Sequence, residues 1–221
     1  VAHATVFANV VEKLSNKSVS QNLAKERAVA LELERMAMHI ADTGALSMDI
    51  GYQLGQVACE ALRTLTINTT QAWCGNRFGK GMIRPFGTNK PLTEAKRKMI
   101  LDNVAEISRR YSEVRNDIKS SPTILARFEE CGIVPKSEMQ RIGGVGMAAR
   151  ASGLKRDIRI SHPFGGFTLE DIKHQSVVKQ HGDVMSRLMV RANEVLQSAE
   201  YIKQILESYE VSEEYSRPDY N

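Results

Sequence analysis

Three cysteines in 221 residues, none of them spaced C-x-x-C, leave this sequence without a disulfide framework or a zinc-ligand pattern. Cys59, Cys74 and Cys131 are widely separated, and an odd count reads as free core thiols in a reducing compartment. Aromatic residues are scarce at 6%, with a single Trp, so no basic stretch carries the interleaved rings of a nucleic-acid platform. No apolar run approaches the roughly 20 residues that span a bilayer, and no basic-then-apolar leader opens the chain. A net charge of +4, from 30 basic against 26 acidic residues, is too small to argue for nucleic acid. There is no Ser-His-Asp order, no dinucleotide fingerprint and little alternation of the kind strands need.

What is present is helical periodicity. Val6, Phe7, Val10, Val11 and Leu14 mark a helix over about 4–14, with no cap before it, as though the chain opened inside an element. Ser20 or Asn22 then caps a long helix running to Gly51. Ala28, Leu31, Leu33, Met36, Ala37 and Ile40 make this helix apolar around most of its circumference, which implies burial on several sides. A third pattern covers about 52–74, with an uncertain end because Thr64, Thr66, Thr69 and Thr70 are poor helix formers. A Gly- and Pro-rich loop follows over 78–91. Ile100, Val104, Ile107, Tyr111, Val114 and Ile118 carry the core face of a long amphipathic helix capped at Thr93. Short helical turns are expected over 123–130 and 136–142, with a turn or strand between. The last helix runs from an Asp183 cap to about Tyr209, and a polar tail, 210–221, reads as loose. Between them lies 143–167, Gly-rich, basic and aperiodic; its GGVG run lacks the Lys-Ser/Thr of a phosphate loop, so these glycines read as close backbone approach. The fold class is mostly α: a single domain of long helices over 1–221, crossed by an irregular Gly/Arg-rich segment.

One feature of the long helix stands out. Glu32, Arg35, His39 and Asp42 are spaced three, four, three, which places them on one face of a helix that is otherwise apolar. Alternating charges on a helix are often a solvated face laced with weak pairs. The other reading is a sheltered polar strip that orients a site or moves protons. His3 and Glu12 are secondary candidates; a structural histidine and a capping or surface carboxylate are the plainer roles for them. Arg150, Asp157 and Arg159, with Asp183, Arg187 and Arg191 further on, read as ion-paired clamps for the irregular segment or as an electropositive lining for an anionic cofactor.

Several of these pieces resemble one family. Arg150-Ala-Ser-Gly-Leu-Lys-Arg-Asp-Ile-Arg159, followed by His162-Pro-Phe, is similar to the RASGxxxDxR signature of the large subunit of membrane-bound, energy-converting nickel-iron hydrogenases and of the 49 kDa subunit of respiratory complex I. Gly182-Asp-Val-Met-Ser-Arg187, Val190-Arg191 and Glu194 resemble its GDxxxRxxVRxxE helix. Glu26-Arg27-Ala28, Leu33-Glu34-Arg35 and His39 resemble the earlier one, and Asp49, Gly51, Arg63, Gly75, Arg77, Arg84-Pro85 and Gly87 follow in order. Thr64 and Gln71 stand where the family usually has Glu, and Phe86 where it has Gly.

The resemblance implies the central fragment of a larger subunit, inactive alone, within an oxidoreductase complex of hydrogenase or NADH-quinone oxidoreductase type. Such a subunit sits beside an iron-sulfur small subunit and membrane subunits, peripheral on the inner face of the cell membrane. It further implies that His3 ends a CGxCxxxH motif whose cysteines precede Val1, with a second cysteine pair beyond the end. No metal ligand is therefore expected within these residues, and the pocket serves either a nickel-iron centre or quinone. Glu12, Glu32, Arg35 and His39 would then lie beside the reaction, with Arg150, Asp157 and Arg159 toward the cofactor. The same fold holding neighbouring subunits together without catalysis is the alternative, as is, more remotely, a basic nucleic-acid module built on Arg77 to Lys98 and Arg150 to Arg159.

Overall fold

A computed structural model describes residues 1–88, 90–168, 172 and 174–211; most of the expected tail, from 212 on, lies outside the described residues. Four long helices form the body: α2 (Gln21–Asp49), α3 (Gln53–Cys74), α4 (Glu94–Ser120) and α9 (Val184–Glu207). α2 packs on α3 and α9, and α4 closes the far side against the same two helices. Each helix offers its neighbours an apolar stripe, and α2, with neighbours on two sides, is buried at Ala28, Val29, Leu33, Met36 and Ile40. Ser20 caps α2 by accepting from the Leu23 N–H, Thr93 caps α4 and Asp183 caps α9.

The Thr-rich end of α3 stays helical to Cys74 because burial overrides propensity. Thr66 and Thr69 donate their hydroxyls to the carbonyls of Leu62 and Leu65, four residues back. Gly75, at φ +80°, ends the helix in the left-handed region. The loop that follows contains a minimal hairpin, β1 (Ile83–Arg84) with β2 (Gly87–Thr88). Its tip is Phe86, held at φ +63°, a conformation that glycine tolerates and a side chain strains. The strain is held because the Phe86 N–H donates to Glu12 at 2.8 Å.

α1 (Ala2–Leu14) corrects the simplest expectation from its pattern. Val6, Phe7, Val10 and Leu14 face outward, while Thr5, Ala8 and Glu12 face in. The reason is electrostatic: buried Glu12 binds Arg27 of α2 through both oxygens, at 2.6 and 2.9 Å, and a two-point charged pair fixes the helix's rotation.

The irregular segment is less irregular than its composition. The expected short helices before it form as α5 (Pro122–Phe128) and α6 (Lys136–Arg141), with a bend and no strand between Cys131 and Pro135; within it lie α7 (Gly146–Ala151) and α8 (Ile158–Ser161), and a 3-10 turn at Gly165–Thr168 closes it. Gly182 ties the segment to α9: its N–H donates to the Ala151 carbonyl at 3.0 Å, and its own carbonyl accepts from the Val134 N–H at 3.0 Å and from Arg187. Its glycines serve two purposes. Gly143 and Gly146 supply positive φ with nothing close by, whereas Gly166 lies against α2, where an added Cβ would meet Ala28 Cβ at 2.6 Å and the Ala24 carbonyl oxygen at 3.0 Å. Gly166→Ala should therefore lift the 3-10 turn from α2 and cost about 1–3 kcal/mol, as overpacking a tight contact does; thermal unfolding of the full-length protein checks it.

Candidate functional site

The charged face of α2 meets α9 and the crossover. Glu32, 2% exposed, receives Arg35 at 2.7 Å and the Ser198 hydroxyl at 2.6 Å on one oxygen, and Arg159 at 3.1 Å on the other. Arg35 Nε donates to Ser198 at 2.7 Å. One turn along α9, Glu194, 1% exposed, receives two of the Arg150 nitrogens on one oxygen, at 2.6 and 2.9 Å, and His39 on the other at 2.8 Å. Asp157 takes Arg159 through both its oxygens, at 3.1 and 2.9 Å, and His174 Nε2 at 2.9 Å. Three carboxylates (Glu32, Asp157, Glu194) thus face three guanidiniums (Arg35, Arg150, Arg159).

Balance is what allows this cluster to be buried, because an unpaired buried charge is strongly destabilising. Burial alone would raise the Glu194 carboxyl; the hydrogen bond from His39 and the charges of Arg150 and Arg35 outweigh it and bring it down to about 2. Burial pushes Asp157 the same way, and its bonds from His174 and Arg159 hold it well below the usual carboxylate range. Both are therefore carboxylates at neutral pH, so His39 Nε2 and His174 Nε2 are the donors in their contacts. Arg35, almost wholly desolvated, is lowered by that burial and supported by Glu32.

This cluster floors a cleft of about 890 Å³. Glu32, Arg35, Arg150, Asp157 and Arg159 line its base, and Met38, Val145, Ile158 and Ile160, all exposed, form an apolar rim. Phe167, whose ring lies 5.8 Å from the Arg159 guanidinium, makes one wall.

The structure sorts the candidates. Glu32, Arg35 and His39 gather with Arg150, Asp157 and Arg159; the two arginines act as clamps and as lining at once. Asp42, at the edge of the stripe, pairs with Arg191 at 2.9 Å. Glu12 is elsewhere, neither cap nor surface group but the buried partner of Arg27. His3 is exposed on α1 and does not line the cleft. Asp183 caps α9 and also accepts from the Glu130 N–H. Three members went unread as site residues. Glu194 and Ser198 carry a signal, two polar groups four apart on a face shared with Val195 and Ile202. His174 carries none, since only the fold brings it to Asp157.

This bundle of long helices with its arginine-bearing crossover is a fold already seen in a solved membrane complex. A chain of the membrane-bound sulfane sulfur reductase, an archaeal respiratory membrane complex, shares the fold with a TM-score of 0.86 at 21% identity, over 95% of this chain and 56% of that one. The chain belongs to the family of the 49 kDa subunit of respiratory-chain NADH dehydrogenase, which matches residues 49–220. It is 27% identical to membrane-bound hydrogenase subunit alpha of Pyrococcus furiosus, over 93% of this chain and 49% of the relative. It is 28% identical to NADH-quinone oxidoreductase subunit 4 of Thermus thermophilus, over 95% and 51%. The chain spans about half the length of these relatives.

Acid should withdraw the cluster's contribution to stability. A carboxyl whose pKa is depressed on folding adds stability above its unfolded value, and that stability is lost as pH falls through the folded one. For Glu194, from an ordinary 4.5 to about 2, the loss amounts to roughly 3 kcal/mol across that window. Urea unfolding at pH 7, 4.5, 3 and 2 measures it. Glu194→Gln should flatten that part of the profile and lower stability at pH 7.

Proposed function

We propose that this chain is the central part of the large subunit of a membrane-associated oxidoreductase complex, and that its cleft receives a quinone-class electron acceptor. The observation that carries the reading is the contrast within the cleft. Its base offers fixed guanidinium donors, which suit a quinone's carbonyl oxygens and suit them better as reduction makes those oxygens negative. Its rim is apolar, as the ring substituents and tail require. Asp157 and Glu194, held ionised by their donors, are acceptors only; His39 and His174 are the proton-bearing side chains that donate to them beside the cleft.

In this reading the chain works beside an iron-sulfur small subunit and membrane subunits, on the cytoplasmic face, with the remaining half of the subunit completing the site. Relatives of both kinds, hydrogenase and quinone oxidoreductase, support membership of such a complex. No helix of the described residues is long and apolar enough to cross a membrane, in keeping with peripheral attachment through partners.

A nickel-iron centre fits the described residues poorly. Its thiolate ligands would have to reach the cleft, yet Cys59 and Cys74 are buried in the bundle core and Cys131 is exposed away from the cleft lining. Among the described residues no cluster of His, Cys, Asp and Glu could hold a metal. Ligands for such a centre would come from sequence outside 1–221, and no step is routed through it.

In the intact complex, Arg159→Gln should weaken binding of a soluble short-chain benzoquinone by about 10–100-fold, the worth of one charged hydrogen bond. Isothermal titration measures it, and unchanged affinity would overturn the quinone reading. His39→Gln should slow quinone turnover while leaving that affinity within about threefold.

A further inference from the structure

Of the three guanidiniums beneath the cleft, Arg159 has the weakest support from its own element. Arg35 stands on a 29-residue helix and Arg150 on a helical turn buried against α9, but Arg159 rides on the four-residue α8. Its first partner, Asp157, lies two residues away on the same segment and also accepts from the Arg159 backbone N–H at 3.1 Å. A pair that local holds its own shape yet does not fix itself to the bundle. Two contacts do that: Glu32 from α2 on the arginine, and His174 on the aspartate.

His174 is well placed for the task. Its side chain is 6% exposed, and its ring lies 5.2 Å from that of Tyr201 on α9 and 6.5 Å from that of Phe167, centre to centre. The next residue is tied to the same helix: the Gln175 N–H donates to the Tyr201 hydroxyl at 3.3 Å, and Gln197 donates to the Gln175 carbonyl at 2.6 Å. The Arg35 guanidinium also sits 5.9 Å from the centre of the Tyr201 ring. Asp157, fixed as a carboxylate, accepts only, so His174 must bring the proton on Nε2. Nδ1 is buried and bonds to no described residue. The contact thus requires a donor at one atom and makes no use of the other.

We propose that His174 is the positioning residue for Arg159: through Asp157 it ties the crossover's guanidinium to α9 and so sets where the cleft presents its donor. The assignment rests on the cleft reading above only for its effect on ligand, since the placement of Arg159 is observable without one. It separates two roles that burial alone would confuse. A ring that merely fills space between Tyr201 and Phe167 is replaceable by phenylalanine; a donor to Asp157 is replaceable by glutamine, whose amide reaches the place of Nε2.

The test uses the intact complex carrying His174→Phe, His174→Gln or Arg159→Gln, with binding of a soluble short-chain benzoquinone and a cryo-EM map of the cleft as the two readings. His174→Phe should weaken binding about tenfold and displace the Arg159 side chain from Asp157. His174→Gln should bind within about threefold of the parent with Arg159 in place. Parent-like binding and an unmoved Arg159 in His174→Phe, or a glutamine variant as impaired as the phenylalanine one, would overturn the proposal. If the phenylalanine variant does not assemble, His174→Met, of similar volume and without a donor, is read the same way. Should Arg159→Gln leave affinity unchanged, the quinone reading falls, and the position of Arg159 in the map still decides the role of His174.

Discussion

The Glu194 carboxylate, shared between Arg150 and His39 and overlooked by Arg35, is the contact on which the arrangement turns. It stands on α9, accepts from α2, and accepts from the crossover, so one buried group joins the three parts that make the cleft. A carboxylate at that depth survives only because every direction open to it is filled by a donor. The same requirement runs outward: Arg150 and Arg35 need their acids, and Glu32 needs Arg159 and Ser198. The bundle supplies apolar burial, on the order of 2 kcal/mol for each large aliphatic side chain removed from water. The ionic ring offsets some of that stability and in return fixes geometry at one place.

Much of the body could be read from residue order. The α2, α4 and α9 stripes follow the 3.6 period, and the caps at Ser20, Thr93 and Asp183 lie where side-chain chemistry puts them. Three features were hidden for physical reasons. The outward face of α1 was hidden because a charged pair, Glu12 with Arg27, decides its rotation, and periodicity counts only apolar residues. The exact end of α3, expected near Cys74, was left open because the propensity of its threonines is weak beside the tertiary burial that decides it. The short helices α7 and α8 were hidden because they are held by contacts distant in sequence, α7 through Gly182 and Glu194 and α8 through Glu32.

The site was legible on one side only. The three-four-three spacing on α2 names Glu32, Arg35 and His39 as sharing a face, and a face of ionisable groups within an apolar helix demands partners. What it does not name is their identity. Glu194, Ser198 and His174 lie 155, 166 and, through Asp157, 17 residues from the groups they serve, and no local pattern spans such distances. Family membership supplies the context that spacing cannot: the chain belongs to the family of the 49 kDa subunit of respiratory-chain NADH dehydrogenase and spans about half the length of its relatives.

The balance of the ring has a consequence for how such a chain can change over generations. Losing one acid or one arginine strands its counterpart in the interior at about 3–5 kcal/mol, a large share of the 5–15 kcal/mol by which a typical domain stays folded. Drift at these positions is therefore forced to travel in couples, acid with base, or to wait for a rescuing change nearby. Surface positions around the rim carry no such tether. A lineage can retune what enters the cleft by altering Met38, Val145, Ile158 or Ile160 one at a time, while the ionic floor beneath stays locked by mutual dependence.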